Sequence, residues 1–500
     1  MDKRFIAAID EGTTSARAVV FDVAKNSIIS IVNTPFDLVY PQPGWVEVDA
    51  NEIWAVQLSA LTNVIAKSRV KLKDLAGIGI ANQRETVVVW DKETGEPVYN
   101  AIVWQCRRTA EFCERLKNDE VTSQTIFRKT GLIIDAYFSA SKIKWVLDNV
   151  EGVRERAEKG ELLAGTVDSW LVYKLTDGKV HVTDISNASR TMLYNIKEKC
   201  WDDELLELFD IPKCLLAEVV DSDQIVGKTS VLKEEVDICG ILGDQQSALF
   251  GHGCFEKGCA KNTYGTGCFI LMNMGTVPKF LDNQLITTVA WTQGGKTVYA
   301  LEGSIFNAGS AVQWLRDQVN FFHTSSESED LARCAKNSDG TDGTDGVYFV
   351  PAFTGLGAPY WNMDARGLIV GITRNTNKFH ITRAVLEAMA YSTKDILIKM
   401  ESDSGVKLRE LACDGGASRN DFLMQFQADV LQNVLRRPRN VETTVLGAVY
   451  MCGLGLRVWK SLSEVSSLKD SVGMFKPQMS KEVSSNLYLG WKQAIKKAID

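Results

Sequence analysis

The chain has 500 residues, too many for one ordinary core, and is 45% hydrophobic and 24% charged; this excludes a disordered or fibrous protein and calls for two large domains or more. A formal net charge of -7 removes any global electrostatic reason to bind nucleic acid, so an anionic ligand must be held by local donors. The first apolar run, residues 5–9, is shorter than the roughly 7–15 residues of a secretory core, and no stretch approaches the ~20 residues of a membrane helix.

Eleven scattered cysteines, none in a Cys-x-x-Cys pair, argue against a disulfide framework or a zinc ribbon. A reduced cytoplasm, without membrane insertion, is the expected setting.

In chain order, strands are expected over 5–9, 18–23 and 27–32, with a Gly/hydroxyl turn at 11–15 and a second turn at Lys25-Asn26. A helix is expected from Glu52, because Ile53, Val56, Ala60, Leu61, Val64 and Ile65 fall on one face. Strands follow over 75–80 and 87–90, and a short strand over 238–242 leads into Gly243-Asp244-Gln245-Gln246. Residues 260–272 repeat the opening unit of strand, Gly/Thr turn and strand. A strand over 410–413 runs into Asp414-Gly415-Gly416, then a helix carrying Phe422, Met424, Phe426 and Val430. Strand and helix patterns alternate in both halves, so the class is α/β, divided into residues 1–250 and 251–500. A hairpin this short also arises by chance, so internal duplication stays open at this point.

The familiar nucleotide signatures are absent. Gly-Lys-Thr occurs at 227–229 and 295–297, but Ser222 and Ala290 stand where a phosphate-binding Walker loop needs glycine. What the chain offers instead is Asp10-Glu11-Gly12-Thr13-Thr14-Ser15-Ala16-Arg17. Such a turn exposes backbone N–H groups and hydroxyls to an anion, Arg17 adds a cation, and Asp10 is placed for Mg²⁺. Gly265-Thr266-Gly267 supplies a second turn of the same kind, and two facing loops suit phosphoryl transfer. Asp244, at a strand end beside two amides, suits a general base. In Asn82-Gln83-Arg84-Glu85-Thr86, the Arg–Glu pair has the donors and acceptors for vicinal hydroxyls, although a surface ion pair is the commoner outcome of such a dipeptide. Tyr137 and Phe269 offer apolar walls.

These segments, with 100–108, 137–140, 187–190, 262–269, 302–303, 350–361 and 414–416, resemble the FGGY carbohydrate kinase family of the actin/Hsp70-like ATPase superfamily. Among its branches they are most similar to the one that phosphorylates glycerol, the pentulose and hexulose kinases lacking the Asn-Gln-Arg-Glu-Thr segment. The resemblance implies two ribonuclease-H-like domains flanking a cleft. It also implies that Arg84, Glu85, Tyr137, Asp244 and Gln245 bind glycerol, with Phe269 against its carbons and Asp244 as catalytic base. By the same resemblance Thr13, Thr14, Ser15, Arg17, Thr266, Gly309, Gln313, Gly416 and Asn420 contact ATP, and Asp10 and Asp244 flank Mg²⁺. A homodimer or a homotetramer is left open, as are two other activities: phosphorylation of a pentulose or another polyol, and an actin-like ATPase without a metabolic acceptor.

Three departures stand out. Glu11 replaces the Gln of many relatives, placing a further carboxylate near the phosphates. Ser418-Arg419 occupy positions that are small and apolar in some relatives. Residues after about 460 match poorly. A fourth concerns control. Enterobacterial relatives bind fructose 1,6-bisphosphate at a loop rich in glycine and cations, where this chain reads Ser230-Val231-Leu232-Lys233-Glu234-Glu235-Val236-Asp237. Three carboxylates against one Lys repel a bisphosphate, and the loop holds no histidine for the phosphorylation that activates some Gram-positive relatives. Activity is therefore expected to be unchanged by millimolar fructose 1,6-bisphosphate at fixed ionic strength; specific inhibition at low concentration would overturn this reading.

Overall fold

The computed structural model describes residues 4–281, 285–360, 362–440, 442–468 and 471–500; Trp361, the last residue of the 350–361 segment, lies outside them. Strands β1 (Phe5–Glu11), β2 (Ser15–Asp22) and β3 (Ser27–Pro35) form an antiparallel meander. Helix α1 (Ala50–Ser68) begins before Glu52 because Asp49 caps it, accepting the Asn51 N–H at 2.8 Å. It buries Ile53, Ala60, Leu61, Val64 and Ile65 at helical spacing, against β2 and β3.

Strands β4 (Leu75–Asn82), β5 (Ile225–Thr229) and β6 (Val236–Gly243) complete a six-stranded sheet of order β5-β6-β4-β1-β2-β3. The parallel register sets Asp10 beside Ala81, Glu11 beside Asn82, and Gly243 beside Asn82. Three segments with chemistry in them therefore emerge at one sheet end, the carboxyl end where α/β proteins place their ligands. Between β4 and β5 the chain adds a smaller sheet, with Val87–Asp91 against Leu162–Thr166, and several helices.

Helix α2 (Asp244–Gly251) ends the first half, and the second opens with strands β7 (Cys259–Tyr264), β8 (Cys268–Gly275), β9 (Ile286–Gln293) and β10 (Lys296–Ile305). Helices α3 (Gly309–Asp317) and α4 (Lys378–Ser404) precede β11 (Glu410–Asp414). Then come α5 (Asp421–Leu431), β12 (Leu435–Pro438), α6 (Thr443–Gly455), β13 (Ser471–Phe475) and α7 (Lys481–Ile499). The sheet order is β9-β10-β8-β7-β11-β12-β13. In each sheet the first hairpin strand, β1 or β7, lies between its antiparallel partner and a parallel strand, β4 or β11. The repeated sequence unit thus occupies equivalent places in two sheets of the same topology, which chance hairpins do not do.

Helix α6 lies late in the chain yet packs on β1, β4 and β6 of the first sheet. It crosses α2 so closely that a Cβ on Gly251 would lie 2.0 Å from the Thr443 carbonyl oxygen, and one on Gly447 1.9 Å from that of Ser247. An apolar cluster containing Ile6 and Phe21, Leu271 and Trp291, and Val445 and Val449 joins the two sheets through these helices. The last helix, where the family resemblance fades, is tied down separately. Asp395 of α4 accepts hydrogen bonds from Tyr360 Oη and Trp491 Nε1, both at 2.7 Å, and from Tyr488 Oη. Among the described residues no helix is long and apolar enough to cross a membrane.

His181 reports on this packing. Its Nε2 lies 3.0 Å from the Ala164 carbonyl oxygen and its ring meets Trp90 edge-on at 5.2 Å. Burial lowers its pKa to about 4, against the Ala164 hydrogen bond. A histidine kept neutral only in the folded state contributes stability that is complete above its unfolded pKa of 6.5 and lost as pH falls towards 4, about 3 kcal/mol in all. In urea unfolding, His181→Gln is expected to narrow the stability difference between pH 7 and pH 4.5 by roughly 2–3 kcal/mol; an unchanged difference would refute this.

Candidate active site

The first turn is pinned to the corner after β4. Gly12 N–H donates to the Ser15 carbonyl at 3.0 Å, Gln83 Nε2 donates to the Gly12 carbonyl at 3.0 Å, and Trp104 Nε1 donates to Thr13 Oγ1 at 2.9 Å. Thr14 is exposed and Thr13 and Ser15 partly so, with the Thr13 hydroxyl already held by Trp104. Arg17 pairs with Glu442 and approaches Asp10 at 3.8 Å, so its cation is already engaged. Burial pushes Asp10 up to about 7; Arg17 opposes this, while Asp244 and Glu442 add to it.

Glu11 does not stand open to the cleft. Its side chain is fully buried, neither carboxylate oxygen has a hydrogen-bond partner among the described residues, and burial raises its pKa well above the usual carboxylate range.

Arg84 and Glu85 are not a surface pair: 3% and 1% exposed, they are buried. Arg84 Nη1 donates to Glu302 Oε2 at 2.7 Å and to Gln246 Oε1 at 3.2 Å, and Nη2 to Tyr137 Oη at 3.3 Å. Its Nε lies 3.3 Å from Asp244 Oδ1 and 3.6 Å from Glu85 Oε1. Glu85 adopts φ +61°, a left-handed conformation uncommon outside glycine, which costs on the order of 1–3 kcal/mol and persists where surroundings over-determine it. The surroundings here are Arg190 Nε, donating to Glu85 Oε1 at 2.6 Å, and Ser139 Oγ, donating to its carbonyl at 3.2 Å. Asn82 and Asn187 exchange reciprocal amide hydrogen bonds of 2.9 and 3.1 Å beneath this corner.

Asp244 begins α2 and, unlike its charged neighbours, is 29% exposed, so a ligand can reach it. Gln245 donates its N–H to Asp244 Oδ1 at 2.7 Å, and its side-chain oxygen accepts from buried Lys261 of β7. Phe269 is half-buried on β8, opposite Thr263.

Residues of this corner that received no role in the sequence include Trp104, Lys142 and Lys261. Trp104 stands edge-on to Tyr137, ring centres 5.4 Å apart, and links it to the Thr13 turn. Its signal lay in the 100–108 segment, where only the arginines draw the eye. Lys142 is buried and donates to three consecutive carbonyls, those of Ala136, Tyr137 and Phe138, at 2.9, 2.6 and 2.7 Å, so it fixes the loop that presents Tyr137. Burial brings its pKa down to about 8. Lys261, also buried, holds the side chain of Gln245.

Across the cleft, a cavity of about 430 Å³ is lined by Thr266, Gly309, Gln313, Gly416 and Asn420 together with Ser325, Ser326, Ser328, Glu329, Ala417 and Arg419. The structure thus brings together five residues from the second half that were singled out in the sequence. Gly309 must be glycine, because a Cβ would lie 2.4 Å from the Gly265 carbonyl oxygen. A Cβ on Gly416 would meet nothing within 4 Å, so this glycine keeps the cavity open. Asn420 caps α5 by accepting the Leu423 N–H at 2.9 Å, which commits its carbonyl to the helix. The serines and Glu329 come from the short helix Glu327–Arg333 and the turn before it, which no motif marks.

Two sheets of one topology, joined by crossing helices and holding a glycine-threonine turn on each side of a cleft, define a two-domain phosphotransferase of the actin-like ATPase fold. The chain belongs to the FGGY family of carbohydrate kinases: the family's N-terminal domain matches residues 5–251 and its C-terminal domain residues 260–456. It is 53% identical to a glycerol kinase of Listeria monocytogenes over 501 aligned residues, covering 100% of this chain and 99% of that one. It is also 53% identical to glycerol kinase 2 of Thermotoga maritima, covering 99% of each chain. The crystal structure of Plasmodium falciparum glycerol kinase with ADP superposes with a TM-score of 0.92 at 35% identity, over 99% of this chain and 98% of that one. A xylulose kinase from Lactobacillus acidophilus gives 0.87 at 22% identity over 99% of each chain, a likeness of fold alone.

Proposed function

We propose that this chain is an ATP-dependent kinase that phosphorylates glycerol to sn-glycerol 3-phosphate. The observation that carries the reading is the buried Arg84–Glu85 pair, with Tyr137 on one side and the reachable carboxylate of Asp244 on the other, in a chain that matches glycerol kinases along its whole length. Arg84 donates to, and Glu85 accepts from, neighbouring hydroxyls of the triol; Tyr137 and Gln245 bind the same acceptor, and Phe269 covers its carbons. Asp244 takes the proton of the attacking hydroxyl. That oxygen bonds to the γ-phosphorus of ATP as the bond from phosphorus to the β,γ-bridging oxygen breaks, and ADP leaves.

Thr13, Thr14, Ser15 and Arg17 on one side, and Thr266, Gly309, Gln313, Gly416 and Asn420 on the other, hold the nucleotide. Asp10 and Asp244 would hold Mg²⁺. They fit a hard cation, because both are carboxylates that a ligand can reach, with side chains 12% and 29% exposed, and Arg17 lies no nearer to Asp10 than 3.8 Å. Bound Mg²⁺ supplies positive charge to the phosphates. The setting we propose is the cytoplasm.

ADP release measured with glycerol, with xylulose and without acceptor tests the proposal. Release with glycerol alone is expected. Preference for xylulose would move the activity within the family, and equal release without acceptor would leave only an ATPase.

A further inference from the structure

Four charged side chains close a ring at the acceptor corner, and two of them have no role so far. Glu302 Oε2 accepts from Arg84 Nη1 at 2.7 Å, and Glu302 Oε1 accepts from Arg190 Nη2 at 2.9 Å. Arg190 Nε donates to Glu85 Oε1 at 2.6 Å, and Glu85 returns to Arg84 at 3.6 Å. The four side chains are 0–2% exposed and their formal charges cancel. Buried ions persist only when paired and hydrogen-bonded, and removing one partner strands the rest. Against burial, which favours the neutral acid, Arg190 and Arg84 pull the Glu302 carboxyl down to about 2.

The ring is not merely internal support, because of where its members come from. Arg84 and Glu85 follow β4 of the first sheet, Arg190 follows the short helix Ile185–Ala188, and Glu302 lies on β10 of the second sheet. Glu302 engages both terminal nitrogens of Arg84, the second at 3.3 Å, and so fixes the plane of the guanidinium. That plane aims Nη2 at Tyr137 and Nε at Asp244. Arg190 likewise holds the carboxylate of Glu85, whose backbone is in the left-handed region.

We propose that Arg190 and Glu302 are positioning residues of the phosphoryl acceptor site, orienting Arg84 and Glu85, and that the acceptor clamp is complete only when a strand of the second sheet is docked against the first. The inference rests on the acceptor reading given above. Neither residue touches the acceptor, so both act on its recognition and leave the nucleotide cavity alone.

The test uses Glu302→Gln, Arg190→Lys and the charge-balanced double variant Glu302→Gln/Arg190→Met, each assayed for KM of glycerol, KM of ATP and Tm beside the wild type. Glu302→Gln keeps shape but loses the charge-assisted bridge, and Arg190→Lys keeps charge but loses the two-nitrogen fork. A rise of about 10- to 100-fold in KM for glycerol is expected in each, with KM for ATP within about twofold. The double variant is expected to regain most of the wild-type Tm while KM for glycerol stays raised, which a purely structural role would not produce. Should the single variants fail to fold, the double variant alone decides. A wild-type KM for glycerol in a folded variant, or an equal rise in both KM values, would overturn the inference. Absence of glycerol turnover in the wild type would instead overturn the acceptor reading itself.

Discussion

Asp244→Asn is expected to lower kcat by about 10²–10⁴-fold while KM for ATP changes little. The substitution keeps the shape of the side chain and the hydrogen bond from the Gln245 N–H, but it removes the proton acceptor and one charge from the cleft. Asp244 is suited to the task by position: it is the partly exposed carboxylate beside the buried Arg84, so a hydroxyl held by Arg84 comes within its reach. The cavity proposed for the nucleotide is lined by other elements, all from the second half. Measured kcat within a few-fold of wild type would remove Asp244 from proton transfer.

Arg84→Ala carries the other large effect, and it has two parts. Each charge-assisted hydrogen bond lost to the acceptor is worth roughly 1.5–3 kcal/mol, so KM for glycerol is expected to rise about 10- to 100-fold. The burial found here adds a second consequence. Removing Arg84 leaves Glu302 and Glu85 with Arg190 as their one cation in the ring, and breaking a buried ion pair in this way costs about 3–5 kcal/mol. A fall in Tm should therefore accompany the rise in KM. An unchanged Tm would mean that water enters and screens the site, and equal rises in KM for glycerol and ATP would mean that Arg84 does not belong to the acceptor.

Much of the architecture was legible in the sequence because it is local. The opening hairpin, the α1 face and the strand before Gly243 follow from period-two and helical spacing with turn residues between them, and each strand or helix appears within a few residues of its expected place. The site was legible as separate segments, each marked by residue types unusual at strand ends. What pattern could not supply was their partners. Arg84 reads as a surface ion pair beside Glu85 because the carboxylate that buries it, Glu302, stands 218 positions away, and Arg190 stands 105 from Glu85. The burial of Glu11 was equally hidden, since it depends on the β1–β4 pairing and not on its neighbours in sequence. Helix α6 is buried along most of its length and no motif marks which sheet it covers; its seat on the first sheet depends on Gly251 and Gly447, small residues whose meaning appears only when the crossing is seen.

The central claim is that this cleft carries the γ-phosphoryl group of ATP to the 3-hydroxyl of glycerol. Its most direct measurement is the fate of that group: ATP labelled with ¹⁸O on the γ-phosphoryl, incubated with enzyme and glycerol, followed by mass spectrometry of the product and its oxidation by a dehydrogenase specific for sn-glycerol 3-phosphate. The expected result is labelled glycerol phosphate formed one-for-one with ADP and fully consumed by the dehydrogenase. Label recovered as inorganic phosphate, or in a glycerol phosphate the dehydrogenase leaves untouched, would contradict it.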